Sequence, residues 1–176
     1  MVLAPTSTYT RLIDLLDLSR ARYRVIEHAA EGGTAAASIL RKNPLAQSAK
    51  CMVVRVRLSK KKGRYVLAVV PGDMNVDLDE VGRLAGGTRA AFASQAVAER
   101  LAGSVAGSIS PLSFHPDLHV MIDEALLELT EFYFNAARLD RSVVLSTEDY
   151  VALARPQISQ ITSARLQSPS PVDASF

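Results

Sequence analysis

The chain has 176 residues, of which 48% are hydrophobic and 22% charged, with 20 basic and 18 acidic residues and a net charge of +2. This is the composition of a soluble globular protein with one real core, and no apolar run approaches the roughly 20 residues that a membrane span needs. A protein that binds along a long stretch of nucleic acid usually carries more positive charge than this. A protein that contacts only the end of a nucleic acid does not need such a charge. Tryptophan is absent and aromatic residues make up only 6%, which argues against a platform that stacks successive bases.

Two features indicate the compartment. The N-terminal stretch Met1–Thr6 lacks the charged start and long apolar region of a signal peptide. The single cysteine, Cys51, cannot form an internal disulfide, which fits a reducing cytoplasm. We therefore expect a cytoplasmic protein. The apolar neighbours of Cys51 favour a small buried hydrophobe over a nucleophile.

The first third of the chain predicts a helix, a strand and a second helix. Leucines and one isoleucine recur at helical spacing over Tyr9–Leu18, with Ser7 or Thr8 as the N-cap. Residues Tyr23–His28 alternate as a strand does. Thr34 follows a Gly-Gly turn and is expected to cap a short alanine-rich helix that ends before an Asn-Pro pair.

A β-hairpin is the clearest local signal. Lys50–Leu58 and Tyr65–Val70 are apolar or alternating runs, which are typical of central strands buried on both faces. Three lysines lie in the turn between them, at Ser59–Arg64. These lysines either meet phosphates or form a solvated hairpin tip, and the sequence leaves both interpretations open.

The second half continues with short elements. The predicted elements are a helix over Leu78–Leu84 capped by Asp77, a strand over Arg89–Phe92, a helix from Ser94 to Leu101, strands over Leu118–Ile122, Phe132–Asn135 and Ser142–Leu145, a turn over Ala136–Asp140, and a last helix that starts with the capping box Ser146–Asp149. No βαβ repeat is present. This order predicts an α+β fold, with a mixed and largely antiparallel sheet surrounded by short helices. We expect one domain over residues 1–160, which includes the helical segment 7–20, and a flexible tail over 161–176.

One stretch breaks the regular pattern. Gly103–Pro116 contains two glycines, four serines and two prolines, so it continues neither a helix nor an interior strand. Glycine allows a backbone to approach a ligand closely. The stretch is therefore either a surface connector or a loop that faces a ligand.

Few side chains offer catalytic chemistry. His28, His115 and His119 lack the spacing of zinc ligands, and the aspartates that follow the hairpin fit a helix start better than a calcium loop. No nucleophile elbow, phosphate loop or dinucleotide motif is present. We therefore expect no metal and no cofactor. Lys50 begins a buried strand and must either find an anion or extend to water.

The sequence resembles the YbaK/ProX family, the free-standing relatives of the editing domain of bacterial prolyl-tRNA synthetases. The resemblance covers about Tyr23 to Ala152. Its carriers are Glu27-His28, Ala49-Lys50, Pro71-Gly72-Asp73, the Gly-x-x-x-Pro loop over Gly107–Pro111, Val120–Asp123 and Phe134-Asn135-Ala136. None is specific alone, but their order and spacing together are fairly specific.

Within the family the chain is most similar to the YeaK-like branch, through Pro111–Leu118, Phe134–Val143 and the ending Thr147–Val151 with Ala154–Pro156. That branch is regarded as trans-editing deacylases that remove serine and threonine from mischarged tRNA. One departure stands out: the family usually has Ala-Gly where this chain has Ala136-Ala137. If that glycine needs a positive φ, the turn differs here, and substrate choice can shift with it.

The resemblance implies roles for individual residues. Lys50 would hold the phosphate or terminal adenosine of the tRNA acceptor end. The backbone at Gly107 and Ser108 would bind the scissile ester carbonyl or orient water, and Pro111 would stiffen the loop. Because no side chain is an obvious general base, the neighbouring ribose hydroxyl is expected to help position the water.

The resemblance also implies a set of residues for the amino-acid pocket. Its candidates are His28, Asp123, Asn135 and Ser142, while Phe114 belongs to the motif that marks the branch and is a further substrate-binding candidate. Polar groups discriminate a substrate hydroxyl well. Each candidate also has a structural interpretation: a strand end, a turn cap, or a partner for a buried backbone group.

Three functions remain open at this point. The preferred one is an aminoacyl-tRNA deacylase for Ser-, Thr- or Ala-tRNA. The others are a non-catalytic tRNA- or nucleotide-binding module and a hydrolase of small esters. The expected partner is the acceptor end of mischarged tRNA, with a synthetase or an elongation factor as a further candidate. The sequence does not fix the oligomeric state.

Overall fold

The structure, a computed structural model, describes residues 5–163. Within this range the helices are α1 (Thr8–Leu18), α2 (Thr34–Arg41), α3 (Leu78–Leu84), α4 (Gln95–Ala102) and α5 (Thr147–Ala154). The strands are β1 (Tyr23–Glu27), β2 (Ala49–Arg57), β3 (Gly63–Pro71), β4 (Arg89–Phe92), β5 (Leu118–Asp123), β6 (Glu131–Arg138), β7 (Arg141–Ser146) and β8 (Gln157–Ser159). Two 3₁₀ turns lie at Leu45–Gln47 and Glu124–Glu128.

The strands form two sheets. The larger has the order β4-β2-β3-β5-β8, in which β2 pairs antiparallel with β3 and β4, whereas β5 pairs parallel with β3 and β8. The smaller is antiparallel, with the order β1-β7-β6. The α+β class is confirmed, with the strands divided between two sheets where one was expected.

The larger sheet is covered on both faces. One face packs with α1 and the inner face of the smaller sheet in a core that contains Leu12, Val53, Phe134 and Tyr150. The other face packs against α3 through residues such as Val54, Val70 and Val81. Burial on both faces explains why β2 and β3 have nearly continuous apolar sequences.

Most predicted elements are present, with small shifts in their ends. Ser7 caps α1 and Asp77 caps α3 through side-chain hydrogen bonds, as expected. Thr34 is the first residue of α2 and not its cap, since Gly33 holds that position. Strand β6 runs through Arg138, so the turn predicted from Ala136 begins later than the sequence suggested.

The C-terminal boundary also moves. Ile161 and Thr162, which the sequence placed in a flexible tail, are buried, and Ile161 N–H and Thr162 Oγ1 both donate to Asp123 Oδ2 (2.8 and 2.9 Å). The domain therefore continues past residue 160. The remainder of the predicted tail, from residue 164 onward, lies outside the described residues.

Candidate active site

A small cavity opens at the edge of the larger sheet. Strand β4 pairs only with Val54–Arg57 of β2, so the first residues of β2 have no neighbour on that edge. The cavity there has a volume of about 140 Å³. Its lining residues come from β2, the N-terminus of α2, the loop before β5, and β6: Gly32, Thr34, Ala49, Lys50, Cys51, Met52, Gly107, Ile109 and Asn135.

Gly107 fixes the loop against the cavity. Its φ is +84°, and a Cβ there would lie 2.7 Å from the Gly32 Cα and still closer to the Gly32 carbonyl oxygen. A glycine is therefore needed both for the left-handed backbone and for the close approach of two chain segments. Within residues 5–163, the N–H groups of Gly107 and Ile109 have no hydrogen-bond acceptor. Two backbone donors beside the cavity therefore remain available to a ligand.

Ser108, between these two donors, is engaged within the protein. It is fully buried, and both its N–H and its hydroxyl donate to the Val105 carbonyl oxygen (3.0 and 2.8 Å). Its own carbonyl oxygen accepts from Ala137 N–H (2.9 Å). The structure therefore makes Ser108 the anchor of the loop and leaves Gly107 and Ile109 as the free donors.

Lys50 is the cation at the cavity. It is partly buried, and its Nζ donates to the Met74 carbonyl oxygen (2.5 Å). Burial lowers the pKa of Lys50, and the nearby Asp73 carboxylate opposes that shift. One hydrogen bond to a carbonyl leaves the other ammonium protons free for a further acceptor.

Behind the cavity lies a buried guanidinium. The Arg41 side chain, in a residue that is only 7% exposed, donates to Asn43 Oδ1 (3.1 Å), Asn135 Oδ1 (3.0 Å), Ser142 Oγ (3.1 Å) and Ser48 Oγ (2.9 Å). All four acceptors are neutral. Burial accordingly lowers the pKa of Arg41 to about 10, and the group remains a cation at neutral pH.

The Arg41 network sets the orientation of Asn135. Because Asn135 Oδ1 accepts from Arg41, its Nδ2 faces the other way and donates to the Gly107 carbonyl oxygen (2.7 Å). An asparagine amide that is fixed at both ends cannot flip without losing hydrogen bonds on both sides. Arg41 is thereby connected to the Gly107 backbone through one side chain.

His28 and Ser142 join the same network. His28 Nε2 lies 2.7 Å from Ser142 Oγ, and its Nδ1 lies 2.8 Å from the Ala29 carbonyl oxygen. The Ser142 hydroxyl is fully buried and lies 3.4 Å from Asn135 Oδ1. Three of the predicted pocket residues thus lie together, and Asn135 is the one that lines the cavity.

The turn at Ala137 was expected to differ if the family's usual glycine needs a positive φ, and the structure does not show that difference. The φ of Ala137 is +61°, in the left-handed region, at an irregularity between Asn135 and Arg138 where the β6–β7 pairing shifts register. Its N–H donates to Ser108. The turn therefore retains a glycine-like conformation with an alanine in place, and it remains coupled to the Gly107 loop.

The other predicted residues do not line the cavity. The Pro111 carbonyl oxygen accepts from the buried Tyr150 hydroxyl (2.8 Å), which ties the loop to the core. Phe114 lies under the Arg11 guanidinium, 4.8 Å from its carbon to the ring centroid. Asp123 is buried at the end of β5, where its carboxylate accepts from Ala125, Ile161 and Thr162. These contacts hold the fold together.

Cys51 contributes a thiol to the cavity wall. Burial raises the pKa of the Cys51 thiol above its ordinary value, which favours the protonated thiol over the nucleophilic thiolate. Residues 5–163 contain no group of three or more histidine, cysteine or acidic side chains arranged to hold a metal ion. The cavity wall formed by the described residues presents a lysine, backbone N–H groups and polar side chains.

Sequence reasoning missed four residues: Gly32, Thr34, Arg41 and Ile109. Gly32 and Thr34 belong to a stretch interpreted only as a turn and a cap. Arg41, in the last turn of α2, looked like an ordinary surface cation. Its signal was weak, namely an arginine one helical turn after the buried Ala37, on the face that the helix buries.

Comparison with known proteins identifies the class. The family model described as "Aminoacyl-tRNA editing domain" matches residues 28–153. The chain therefore belongs to the aminoacyl-tRNA editing domain family, as its resemblance to the YbaK/ProX group implied. The match begins at His28 and includes the cavity and the Arg41 network.

Individual relatives and solved structures show which members of the family the chain is similar to. The chain is 41% identical over 152 residues to a protein named "Multifunctional Ser/Thr-tRNA deacylase ProXp-y" from Escherichia coli strain K12, over 86% of this chain and 90% of the relative. The same values hold for the protein of that name from strain O157:H7. The fold matches a candidate trans-editing enzyme for prolyl-tRNA synthetase (TM-score 0.75, 20% identity, 92% of this chain and 100% of that one) and a hypothetical protein (TM-score 0.79, 18% identity, 87% and 99%). Among residues 5–163, no helix is long and apolar enough to cross a membrane.

Proposed function

We propose that this protein is a trans-editing deacylase that hydrolyses the ester bond of mischarged aminoacyl-tRNA, with Ser-tRNA and Thr-tRNA as its substrates. The observation that carries the proposal is the meeting of Lys50 and the Gly107 backbone at one small cavity. The family and the name of the 41% identical relative support it. A protein that acts on tRNA is expected in the cytoplasm, where translation takes place.

Lys50 binds the acceptor end in this mechanism. An ammonium is a compact charge that suits a phosphate or a ribose oxygen. The hydrogen bond from Nζ to Met74 holds the head of the side chain near the cavity before substrate arrives. Preorganisation of this kind reduces the ordering that binding must impose.

Backbone donors stabilise the developing oxyanion. In ester hydrolysis, water adds to the carbonyl carbon, and the carbonyl oxygen gains negative charge. The bond between that carbon and the ribose oxygen then breaks, and the ribose oxygen leaves with a proton. The free N–H groups of Gly107 and Ile109 are suitable donors for that oxyanion, because their loop is fixed by Ser108, Pro111 and Asn135. Removal of one preorganised donor of this type costs about 10²- to 10³-fold in rate.

The substrate supplies the group that positions the water. Among the described residues, the cavity lining contains no histidine, aspartate or glutamate, so no carboxylate or imidazole of that lining acts as a general base. The ribose hydroxyl next to the ester lies within reach of the attacking water in any aminoacyl-tRNA. We propose that it orients the water and takes part in proton transfer to the leaving oxygen.

The size and polarity of the cavity favour a small hydroxylated amino acid. Its volume of about 140 Å³ is well below the roughly 300–1,000 Å³ of pockets for drug-sized ligands. Thr34 Oγ1 has no hydrogen-bond partner within the described residues, so it is available to a substrate hydroxyl. The Asn135 amide, by contrast, is already bonded at both ends. His28 and Ser142 contribute indirectly, because His28 contacts the Ser142 hydroxyl and that hydroxyl contacts the Asn135 amide oxygen.

A deacylation panel tests the proposal. Purified protein is incubated with tRNA charged with serine, threonine, alanine, cysteine or proline, and the loss of ester is followed. We expect turnover of Ser- and Thr-tRNA, and a loss of about 10²-fold or more in Lys50→Ala. The matched control is Lys42→Asn, which also removes one charge but at an exposed position whose positive φ asparagine tolerates.

Two outcomes would contradict the proposal in different ways. No turnover with any charged tRNA would leave a non-catalytic tRNA-binding module as the better description. Turnover that survives Lys50→Ala would keep the enzyme and remove the role of Lys50. The substrate-assisted step has its own test, because tRNA ending in deoxyadenosine must be hydrolysed more slowly than normal tRNA.

A further inference from the structure

A second surface, apart from the cavity, concentrates positive charge. A groove of about 440 Å³ lies between the tip of the β2–β3 hairpin and β4. Six basic side chains line it: Arg55, Arg57, Lys60, Lys61, Lys62 and Arg89. We call it the basic groove. All six are exposed, and the lining that residues 5–163 provide contains no acidic side chain.

The charge of the groove contrasts with the rest of the chain. The whole sequence has 20 basic and 18 acidic residues. With the six groove residues set aside, the remaining 14 basic residues are outnumbered by the acidic ones. The modest net charge of the chain therefore conceals an uneven distribution of charge, and the basic groove is a face that attracts polyanions.

The groove cations are unpaired. Other arginines in the described residues, such as Arg22, Arg24 and Arg138, form ion pairs, whereas none of the six groove cations does so within residues 5–163. Register also places Arg57 directly opposite Arg89 on adjacent strands. Like charges in that position repel each other and destabilise a sheet. The repulsion between Arg57 and Arg89 is relieved when an anion binds across both strands.

The groove lies on the same face of β2 as part of the cavity wall. Side chains two residues apart along a strand point to the same face, so Cys51, Arg55 and Arg57 share one. Cys51 lines the cavity, and Arg55 begins the groove four residues later. The separation along the strand is about 13 Å. The cavity and the groove therefore lie toward the two ends of one strand, within the reach of a single RNA molecule.

We propose that the basic groove binds the phosphodiester backbone of the tRNA outside its aminoacylated end, which makes it the docking surface for the RNA body. This inference rests on the proposed function for the identity of the RNA. Arginine and lysine are the side chains that contact phosphates most often. Binding by phosphate neutralisation falls steeply with salt, by about 0.7–0.9 in the logarithmic slope for each phosphate neutralised.

The test measures RNA binding separately from catalysis. Fluorescence anisotropy follows uncharged tRNA binding to wild type and to the triple variant Lys60→Gln, Lys61→Gln, Lys62→Gln, at 50 and 200 mM salt. We expect the triple variant to bind roughly 10- to 100-fold more weakly at 50 mM salt. Its salt slope should fall by about 2–3. A double variant, Arg57→Gln with Arg89→Gln, is also expected to bind tRNA more weakly than wild type. It should unfold at a higher temperature than wild type, because the cross-strand repulsion is removed.

The control removes the same charge elsewhere. Arg20→Asn, Lys42→Asn and Arg100→Gln together remove three exposed cations that lie outside the groove. Asparagine tolerates the positive φ of Arg20 and Lys42. This control should retain most of the affinity for tRNA. Equal weakening of the control and the groove variants would show that net charge alone acts, and would overturn the inference.

Hydrolysis of a short ester separates this inference from the proposed function. 3′-Seryl-adenosine has the reactive end but no RNA body, so the groove variants should hydrolyse it as wild type does while they lose activity on Ser-tRNA. If wild type hydrolyses neither ester, the proposed function fails, and the anisotropy result still decides whether RNA binds the groove. If the groove variants lose binding to phosphatidylserine vesicles but keep tRNA binding, the groove recognises a lipid surface and the inference is wrong.

Discussion

Two groups of cations in this protein hold their positive charge in opposite ways. Arg41 is buried, and its four hydrogen bonds all go to neutral oxygens of the protein. The basic groove is exposed, and its cations have no ion-pair partner in the described part of the chain. Salt screens exposed charges and leaves buried ones largely unaffected. The first arrangement therefore positions the loop at the cavity, and the second attracts a partner from solution. Ionic strength should distinguish them.

The largest expected effect comes from Gly107→Ala, at the point where the buried network meets the cavity. The added Cβ would collide with Gly32. The left-handed backbone at this position also strains alanine by about 1–2 kcal/mol. Displacement of the loop by about 1 Å should lower kcat on Ser-tRNA roughly 10²-fold at every salt concentration. Gly86→Ala is the control, since Gly86 has the same positive φ with no atom near its Cβ. It should lose stability and keep its activity.

Next in size is Arg41→Gln, which removes donors from Asn135, Ser142 and Ser48. A buried acceptor that loses its donor costs up to about 1–3 kcal/mol. The cost is smaller at Ser48, which still accepts from Asn43, whereas Asn135 loses the bond that sets its orientation. We expect kcat to fall roughly 10- to 100-fold with little change in KM.

This loss should be the same at 50 and 200 mM salt and the same on 3′-seryl-adenosine. Arg24→Gln is the matched control, because Arg24 is exposed and its partner is Glu131. If the defect of Arg41→Gln instead appears mainly in KM and depends on salt, Arg41 acts on the RNA as the groove does.

Much of the fold follows from local sequence, and the site follows only in part. The hairpin and the caps at Ser7 and Asp77 are encoded in short stretches, so they could be predicted. The backbone at Ala137 could not, since the sequence suggested an altered turn and Ala137 adopts the positive φ itself. The division into two sheets could not, because the β3–β5 pairing joins strands that are distant in sequence. The approach of Gly32 to Gly107 is of the same kind.

The two sets of cations were hidden for opposite reasons. Arg41 looks like any arginine at the end of a helix, and only tertiary packing shows that it is buried. The three hairpin lysines were visible in the sequence, but Arg89 lies far along the chain. Its position opposite Arg57 required the β2–β4 register. A charge pattern along a sequence therefore underestimates a patch that several strands assemble.

A smaller effect is expected from pH, through Lys50, which is intermediate between the two arrangements because it is only partly buried. Burial lowers its pKa below the ordinary 10.5, so the cation is lost at a lower pH than for a solvated lysine. We expect kcat/KM, corrected for spontaneous ester hydrolysis, to fall on the alkaline side below pH 10.5. Lys50→Arg should remove that decline, since arginine keeps its charge.

The same shift has a consequence for stability with a definite sign. Between the lowered pKa of folded Lys50 and 10.5, the unfolded chain binds more protons than the folded one at this group. Its contribution to the free energy of unfolding therefore rises with pH across that window. An activity profile without an alkaline decline in wild type would remove the cation from the mechanism.

The smallest effect is expected from Ala137→Gly, which restores the residue usual in the family. Alanine in the left-handed region is strained by about 1–2 kcal/mol, whereas glycine loses about 0.5–1 kcal/mol through the greater freedom of the unfolded chain. The balance is a gain of about 0.5–1 kcal/mol, or a rise of about 1–4 °C in Tm. Ala136→Gly is the matched control. Ala136 is fully buried and has no positive φ, so the same chemical change should destabilise there.

Activity gives Ala137→Gly a second use. The N–H of residue 137 donates to Ser108 with either side chain, so relief of strain alone should leave kcat on Ser-tRNA and Thr-tRNA unchanged. A change in the ratio of these two rates would instead show that the alanine shifts the Ser108 anchor and, through it, the free donors of Gly107 and Ile109. The strained turn would then belong with the buried Arg41 network as a determinant of substrate choice, and its effect, unlike that of the groove, should persist at high salt.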